Sequence, residues 1–283
     1  MSDAKAGLAG FDERFAVVRG VRLRYFVKGS GPPLLLVHGL GGGACNWVAL
    51  ARPLARSRRV LVPDLPGHAG SAPLPAAPNL NPFADAVAAV AELEGLLPAP
   101  VVGHSLGGAV ALRLALRRPR DVVAVLLAAA AGISSASRRA RYALEVTAVV
   151  KPARRLAPFR HLIAKNAALR SFVFGGWGAA NPRALPPEAV RGFLAGAQLH
   201  TDTVSAARAL VLDDPRPDLA RLACPAFVLW GSRDTQLPVD DAFDFARRLR
   251  APLRVIPECG HLLIGERPDA CLEAIQAFLM RFE

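Results

Sequence analysis

Ser105 is the side chain whose surroundings most clearly favour nucleophilic chemistry. It lies in Gly103-His104-Ser105-Leu106-Gly107, which follows a branched apolar pair and precedes a helical pattern at Ala109 to Arg117. A strand, a sharp turn and a helix form the context of a G-x-S-x-G nucleophile elbow. Side chains at the two glycine positions would collide with backbone, and the helix N-terminus favours negative charge near the hydroxyl. The alternative is a glycine-rich turn that carries an inert serine.

A serine nucleophile needs a general base, and histidine has a pKa near neutrality. We predict that His261 is this base, because it follows the last strand in a loop that opens towards the carboxyl ends of the strands. His104 follows the strand before the elbow, so its ring should point away from Ser105 and support the site indirectly. The remaining histidines are predicted to be structural (His38, His68) or to have no catalytic context (His161, His200).

The carboxylate that orients the base should come from the end of another strand. Asp234 lies just beyond the apolar run 226–230, and it would accept a hydrogen bond from the His261 ring and stabilise the imidazolium. A loop-capping aspartate is the structural alternative. The chain order of serine, aspartate and histidine is that of α/β-hydrolases rather than of the main protease families. Weaker competitors lie at the next helix start or at the end of a helical segment: Asp240, Asp241, Asp213 and Asp214.

Cleavage of an ester also needs N–H donors for the negatively charged oxygen of the tetrahedral intermediate. We predict that Leu106, directly after the serine, supplies one donor, and that Leu40, in the glycine-rich loop after Leu34 to Val37, supplies the other. Candidate substrate-pocket residues follow this loop or provide aromatic walls from the helical segment, although ordinary packing would also explain them: Asn46, Trp47, Phe172, Phe174, Trp177 and Phe193.

The elements that must position these residues alternate between strands and helices. An opening hairpin at 14–27 precedes a series of short apolar strands, and helices are predicted at 47–55, 81–97 and 268–282. Asn81 is a plausible cap of the second helix, with Pro82 at its first position. Ser134 to Leu212 contains helical patterns without a convincing strand. We therefore predict an α/β fold: a mainly parallel, doubly wound sheet with a helical cap inserted after the sixth strand, over the strand carboxyl ends.

Composition narrows the class of protein. The chain has 283 residues, 52% of them hydrophobic, which is enough for a sizeable core. No apolar run approaches the roughly 20 residues of a membrane span, and residues 1–10 lack the apolar centre of a signal peptide, so a cytoplasmic protein is expected. The four cysteines have no metal-binding spacing and are expected to be small buried apolar residues.

The net charge of +12 is concentrated in the helical segment. Residues 133–212 contain twelve basic and three acidic side chains, a net +9. A solvated helical surface in an arginine-rich chain explains this. The other interpretation is a basic face for an acidic partner or an anionic membrane surface. Nucleic-acid binding is not expected, because no recognition motif accompanies the charge.

With these motifs assembled, the sequence resembles the α/β-hydrolase superfamily along nearly its whole length, and most closely its capped esterase, lipase and carbon–carbon bond hydrolase branch. The resemblance rests on five motifs: His38-Gly39, Pro63 to His68, Gly103 to Gly108, Gly231 to Asp234, and Gly260-His261. It implies a triad of Ser105, Asp234 and His261, a core domain of residues 1–133 and 213–283, and a helical lid of residues 134–212. Where the family often has glycine directly after the histidine of the Asp64 to His68 motif, this chain has Ala69.

The expected activity is hydrolysis of a small-molecule carboxylic ester through an acyl-enzyme, with no metal or organic cofactor. Two alternatives keep the triad and change the bond: hydrolysis of a carbon–carbon bond in a ring-cleavage product, and hydrolysis of an acyl thioester. A serine nucleophile argues against the epoxide hydrolases and haloalkane dehalogenases, which in this family use aspartate. The non-enzymatic alternative is a ligand-binding protein on a hydrolase scaffold.

Overall fold

A computed structural model describes residues 7–134, 152–176 and 178–282. Eight strands form a single sheet with the order β1-β2-β4-β3-β5-β6-β7-β8. Their bounds are β1 (Asp12–Val18), β2 (Val21–Lys28), β3 (Pro33–Val37), β4 (Arg59–Pro63), β5 (Ala99–His104), β6 (Val122–Ala128), β7 (Ala226–Gly231) and β8 (Leu253–Ile256). The opening hairpin is antiparallel, β2 pairs antiparallel with β4, and all other pairs are parallel. The predicted α/β fold is confirmed.

The register brings the functional loops to one edge of the sheet. Val37 of β3 pairs with Gly103 of β5, and Gly231 of β7 pairs with Ile256 of β8. Parallel strands end at a common edge, so the chain segments that follow β3, β5, β7 and β8 emerge together. The central strands are almost completely buried, as expected for strands that are covered on both faces.

The described α-helices alternate with the strands outside one long helical insertion. Their bounds are α1 (Val48–Leu54), α2 (Asn81–Leu93), α3 (Leu106–Arg117), α4 (Pro152–Leu156), α5 (Arg160–Lys165), α6 (Ala167–Gly175), α7 (Pro187–Ala195), α8 (Thr203–Leu212), α9 (Val239–Leu249), α10 (Leu263–Glu266) and α11 (Pro268–Leu279). A 3-10 turn, Ala44–Trp47, leads into α1, and another, Met280–Phe282, follows α11. The predicted helix at 268–282 therefore ends in a tighter turn.

Helix α2 differs from its prediction at both ends. Leu80, rather than Asn81, is the N-cap residue, and the side chain of Asn79 accepts the N–H of Asn81. The local hydrogen bond from Asn79 thus replaces the predicted cap. The helix ends at Leu93 instead of Leu97, because Gly95 has a left-handed φ of 65° that helical backbone cannot continue through.

The helical insertion lies between β6 and β7, and of the predicted residues 134–212 the structure describes 134, 152–176 and 178–212. None of these residues lies in a strand. Within the described chain, no helix is long and apolar enough to span a membrane. The basic residues that are exposed in this part of the insertion are Arg154, Arg155, Lys165, Arg183 and Arg208.

Three of the four cysteines are buried: Cys45, Cys259 and Cys271. Cys224 is half-buried, and all four are free thiols. Burial raises the pKa of Cys45 to about 12 and that of Cys224 to about 11. These thiols therefore stay protonated at neutral pH and fill space as small apolar side chains.

Candidate active site

Ser105 lies at a sharp turn between β5 and α3. Its backbone has φ 54° and ψ −120°, a region that a residue other than glycine rarely adopts. A Cβ at Gly107 would lie 2.1 Å from the carbonyl oxygen of Val37, and one at Gly103 would lie 2.2 Å from the carbonyl oxygen of Gly107. The turn therefore packs backbone directly against backbone, and both glycines are required, as the sequence predicted.

Three side chains from separate loops form a hydrogen-bonded chain at this turn. The Nε2 atom of His261 lies 3.1 Å from the Oγ atom of Ser105, and its Nδ1 atom lies 2.8 Å from the Oδ2 atom of Asp234. When Nδ1–H donates to the carboxylate, Nε2 is left free to accept the serine hydroxyl proton. The imidazole and carboxylate side chains are 5% and 0% exposed, so bulk water competes little for these bonds.

Asp234 is fixed from its own loop. Its Oδ1 atom accepts the N–H groups of Gln236 and Leu237, each at 2.9 Å, while Oδ2 faces the histidine. The indole N–H of Trp230 donates to the carbonyl of Leu237 at 3.2 Å and closes the same loop. Asp234 thus caps its loop as well as contacting His261, so the two interpretations of this aspartate hold together.

Three contacts hold the backbone of the His261 loop. The buried ring of His104 donates from Nε2 to the carbonyl of His261 at 2.9 Å, so it supports the loop without bonding to Ser105. Burial lowers the pKa of His104 to about 3, which keeps its ring neutral. The N–H of His261 donates to the carbonyl of Gly178 in the helical insertion at 2.7 Å. The N–H of Gly260 donates to the Glu266 carboxylate at 3.2 Å.

The loop after β3 forms a tight turn beside the serine. The N–H of Gly42 donates to the carbonyl of Gly39 at 3.1 Å, and Gly41 has a φ of 68°, as the third residue of a type II turn requires. A Cβ at Gly39 would lie 3.1 Å from the Cβ atom of Ser105, which places the turn against the nucleophile. Among the described residues, no hydrogen bond takes up the N–H of Leu40 or of Leu106.

Two predicted structural histidines lie behind this turn. His38 donates from Nδ1 to the carbonyl of Gly39 at 2.8 Å and accepts the N–H of Leu65 at Nε2. Burial lowers its pKa to about 4, so the ring remains neutral in this bridge. His68 packs 5.2 Å from it, ring centre to ring centre, and donates to the carbonyl of Pro66. Neither ring hydrogen-bonds to Ser105.

Two residues that the sequence analysis did not assign to the site form hydrogen bonds with backbone groups of its loops. His200, in the helical insertion, hydrogen-bonds to the carbonyl of Gly41 at 2.8 Å. Glu266, at the end of α10, accepts N–H groups from both the His261 loop and the insertion. The partners in the insertion and in the turn after β3 are far away in the chain, so local sequence gives no signal of those contacts; only Gly260 lies near Glu266 in sequence.

The predicted pocket residues after the β3 loop have structural contacts. Asn46 accepts the N–H of Gly43 and donates to the carbonyl of Gly192 in α7, so its amide joins the loop to the insertion. Trp47 is completely buried and packs in the core. Their placement supports the shape of the site, and neither side chain stands free for a substrate.

The predicted aromatic walls separate into three groups. Phe174 and Phe193 are buried with their ring centres 6.2 Å apart, in packing between α6 and α7. Phe172 is 83% exposed and does not fit the predicted role, because α6 turns Val173 and Phe174 inward and leaves Phe172 facing solvent. Trp177 lies outside the described residues.

The competing carboxylates form other contacts. Asp213 pairs with Arg113 at 2.6 Å, and Asp214 pairs with Arg216 at 2.6 Å. Asp240 and Asp241 both lie in the first turn of α9, as predicted. The described residues contain no group of three or more histidine, cysteine, aspartate or glutamate side chains arranged to hold a metal ion.

Residues 34–274 match the model of the alpha/beta hydrolase family. The chain belongs to this family. It is 32% identical over 288 residues to the dihydrolipoyllysine-residue acetyltransferase component of the acetoin cleaving system of Pseudomonas putida, a match that covers 94% of this chain and 69% of that relative.

Two further relatives of this α/β hydrolase match it over most of both lengths. The pimeloyl-[acyl-carrier protein] methyl ester esterase of Aromatoleum aromaticum is 33% identical, over 87% of this chain and 97% of the relative. The solved structure of a thermophilic esterase from Thermogutta terrifontis is 26% identical with a TM-score of 0.73, and covers 95% of this chain and 98% of its own.

Proposed function

We propose that this α/β hydrolase is a serine hydrolase that cleaves a small-molecule carboxylic ester. The observation that carries the proposal is the hydrogen-bonded chain from Ser105 through His261 to Asp234, with distances of 3.1 and 2.8 Å. A nucleophile, a base and an orienting carboxylate in hydrogen-bond reach are the parts that acyl transfer through serine needs. The esterase relatives support the choice of an ester bond.

The proposed reaction has two halves. In the first, His261 Nε2 takes the hydroxyl proton as Ser105 Oγ attacks the ester carbonyl, and the protonated imidazole then gives that proton to the departing alcohol. In the second, His261 takes a proton from water, the hydroxide attacks the acyl-serine, and the proton returns to Ser105 as the acid leaves. Asp234 stays ionised throughout and stabilises the imidazolium.

The N–H groups of Leu40 and Leu106 are the proposed donors to the oxyanion. Both are unused by the described residues, and both belong to backbone that lies against Ser105. Loss of one such donor typically lowers the rate by about 10²- to 10³-fold. The N-terminus of α3, 12 residues long, adds a favourable potential for negative charge at the same place.

The helical insertion, predicted as a lid of residues 134–212, is proposed to cover the substrate. Its described part contacts both the turn after β3 and the His261 loop, which flank Ser105. A cytoplasmic location and an acidic partner or anionic membrane surface for the basic residues remain predictions, as does the absence of a cofactor. The ester, thioester and carbon–carbon alternatives differ in the leaving group and are separated below by a substrate panel.

The decisive experiment combines a fluorophosphonate probe with a panel of p-nitrophenyl esters, acyl thioesters and vinylogous diketones. We expect the wild-type protein to be labelled at Ser105 and to hydrolyse the esters fastest, and Ser105→Ala to lose both while keeping the wild-type melting temperature. Ser57→Ala removes an exposed serine outside the site and is the matched control. Turnover retained by Ser105→Ala, or no labelling of the wild type, would overturn the proposal.

A further inference from the structure

Histidine rings hold two carbonyl groups of the turn Gly39 to Gly42, which carries the proposed oxyanion donor Leu40. His38, which lies directly before the turn, donates to the carbonyl of Gly39. His200 donates from Nε2 to the carbonyl of Gly41, two residues later. Since His200 lies 159 positions further along the chain, the helical insertion supplies half of the support of this turn.

Each of these rings is anchored in turn to the loop after β4. The Nδ1 atom of His200 accepts the N–H of Ala69 at 2.8 Å, and the Nε2 atom of His38 accepts the N–H of Leu65 at 2.9 Å. The two rings flank the ring of His68, whose centre lies 5.2 Å from that of His38 and 5.6 Å from that of His200. Two imidazole rings, those of His38 and His200, therefore each connect the turn to the loop after β4 by hydrogen bonds.

The bridge requires one tautomer of a neutral ring. A proton on Nδ1 of His200 would face the N–H of Ala69 and break that bond, whereas the proton on Nε2 is needed for the carbonyl of Gly41. Burial lowers the pKa of His200, so the ring is neutral at physiological pH. The ring thus acts as a rigid spacer of fixed polarity between two backbone groups.

We propose that His200 is a positioning residue, by which the helical insertion fixes the oxyanion turn for catalysis. The inference rests on the proposed function, since it assigns a purpose to the turn only if Leu40 donates to an oxyanion. His200 holds the carbonyl of Gly41, which belongs to the same peptide group as the N–H of Gly42. That N–H donates to the carbonyl of Gly39 at 3.1 Å, and the Gly39 carbonyl shares its peptide group with the N–H of Leu40. His200 therefore acts on the proposed donor through the hydrogen bond that closes the turn. An oxyanion donor acts at short range, and a displacement of about 1 Å can cost roughly 10²-fold in rate.

Two amide substitutions separate the two halves of the bridge. In His200→Gln, the longer side chain can place an amide NH₂ where Nε2 lies and keep the donation to Gly41. In His200→Asn, the shorter side chain can place its oxygen where Nδ1 lies and still accept the N–H of Ala69. It can no longer donate to the carbonyl of Gly41. Both variants should fold, because the N–H groups of Thr201 and Asp202 still donate to the carbonyl of Gly67, each at 3.0 Å.

The experiment measures kcat and KM for the best p-nitrophenyl ester, the rate of fluorophosphonate labelling at Ser105, and the melting temperature. His161→Asn is the control, because His161 is an exposed histidine of the same insertion. We expect kcat and the labelling rate to fall about 10- to 100-fold in His200→Asn and no more than about threefold in His200→Gln. KM should change little in either variant.

The outcomes separate this inference from the proposed function. Equal rates in the Asn and Gln variants, or a loss that follows melting temperature alone, would show that His200 is merely structural. Ser105-dependent turnover that is unaffected by both variants would overturn the inference and leave the hydrolase proposal intact. A wild-type protein that is neither labelled nor active would overturn the proposed function, and this inference would fall with it.

Discussion

Glu266 joins the loop of the proposed base to the helical insertion, and Glu266→Gln should therefore damage both stability and rate. The Oε2 atom of this carboxylate accepts the N–H of Ala180 at 2.9 Å, and the N–H of Gly260 is shared between Oε1 at 3.2 Å and Oε2 at 3.3 Å. The N–H of Asn181 lies 3.5 Å from Oε2 of the same carboxylate. Burial raises the pKa of Glu266, while the N–H donors favour the charged form.

The size of the effect follows from these contacts. An amide can place its oxygen at one of the two carboxylate positions only, and its NH₂ group then faces an N–H donor. If the oxygen takes the Oε2 position and keeps Ala180, it keeps only the longer contact with Gly260, directly before His261, and the NH₂ group at the Oε1 position then faces the N–H of Gly260. Exchange of charge-assisted hydrogen bonds for neutral ones, with one donor opposed, should cost about 2 kcal/mol, or about 3–4 °C in melting temperature for a chain of 283 residues. If the ring of His261 is held less firmly in its position beside Ser105, kcat should fall about tenfold with little change in KM.

The assay compares Glu266→Gln with Glu273→Gln by thermal unfolding and by the rate of fluorophosphonate labelling. Glu273 is exposed and pairs with Arg254 on the surface, so the same substitution there should leave both readouts near wild type. Similar behaviour of the two variants would refute the reasoning. A fall in melting temperature with an unchanged labelling rate would limit Glu266 to a structural role.

Two further predictions concern the turn and the buried rings. Gly107→Ala should prevent normal folding, because its Cβ would lie 2.1 Å from the carbonyl oxygen of Val37. The control Gly176→Ala should fold, because a Cβ at Gly176 meets open space and the φ of −74° suits alanine. Equal soluble yields and melting temperatures of the two variants would contradict this prediction. His38 and His104, with folded pKa values of about 4 and about 3, bind fewer protons than the unfolded chain below about pH 6.5. Urea midpoints should therefore fall from pH 6.5 to pH 4, and a flat profile would argue against neutral rings.

The strands and the serine turn could be predicted from sequence because their causes are local. A buried parallel strand needs a short apolar run, as at Leu34 to Val37, and the turn at Ser105 needs glycine where backbone meets backbone. The partnership of His261 with Asp234 was also predictable, because both follow strands whose ends the sheet brings together. Topology therefore supplied the long-range information in this case.

The contacts of the helical insertion could not be predicted in this way. His200 and Glu266 act through backbone groups of distant loops, and neither hydrophobic period nor residue type specifies which backbone group a side chain meets. The predicted role of Phe172 as a pocket wall does not fit the structure for a related reason. An aromatic residue in a short helix can face the site or the solvent, and the angle of that helix on the core decides which.

The helical insertion, which we propose to be a lid, is hydrogen-bonded to loops on both sides of Ser105. On one side His200 and Asn46 join it to the oxyanion turn, and on the other the N–H of His261 donates to Gly178. Removing the insertion would leave a buried N–H without its acceptor and a turn without its second bridge. The proposed catalytic geometry therefore belongs jointly to the sheet loops and the insertion, so truncating this segment should lower kcat and not only widen access to the serine.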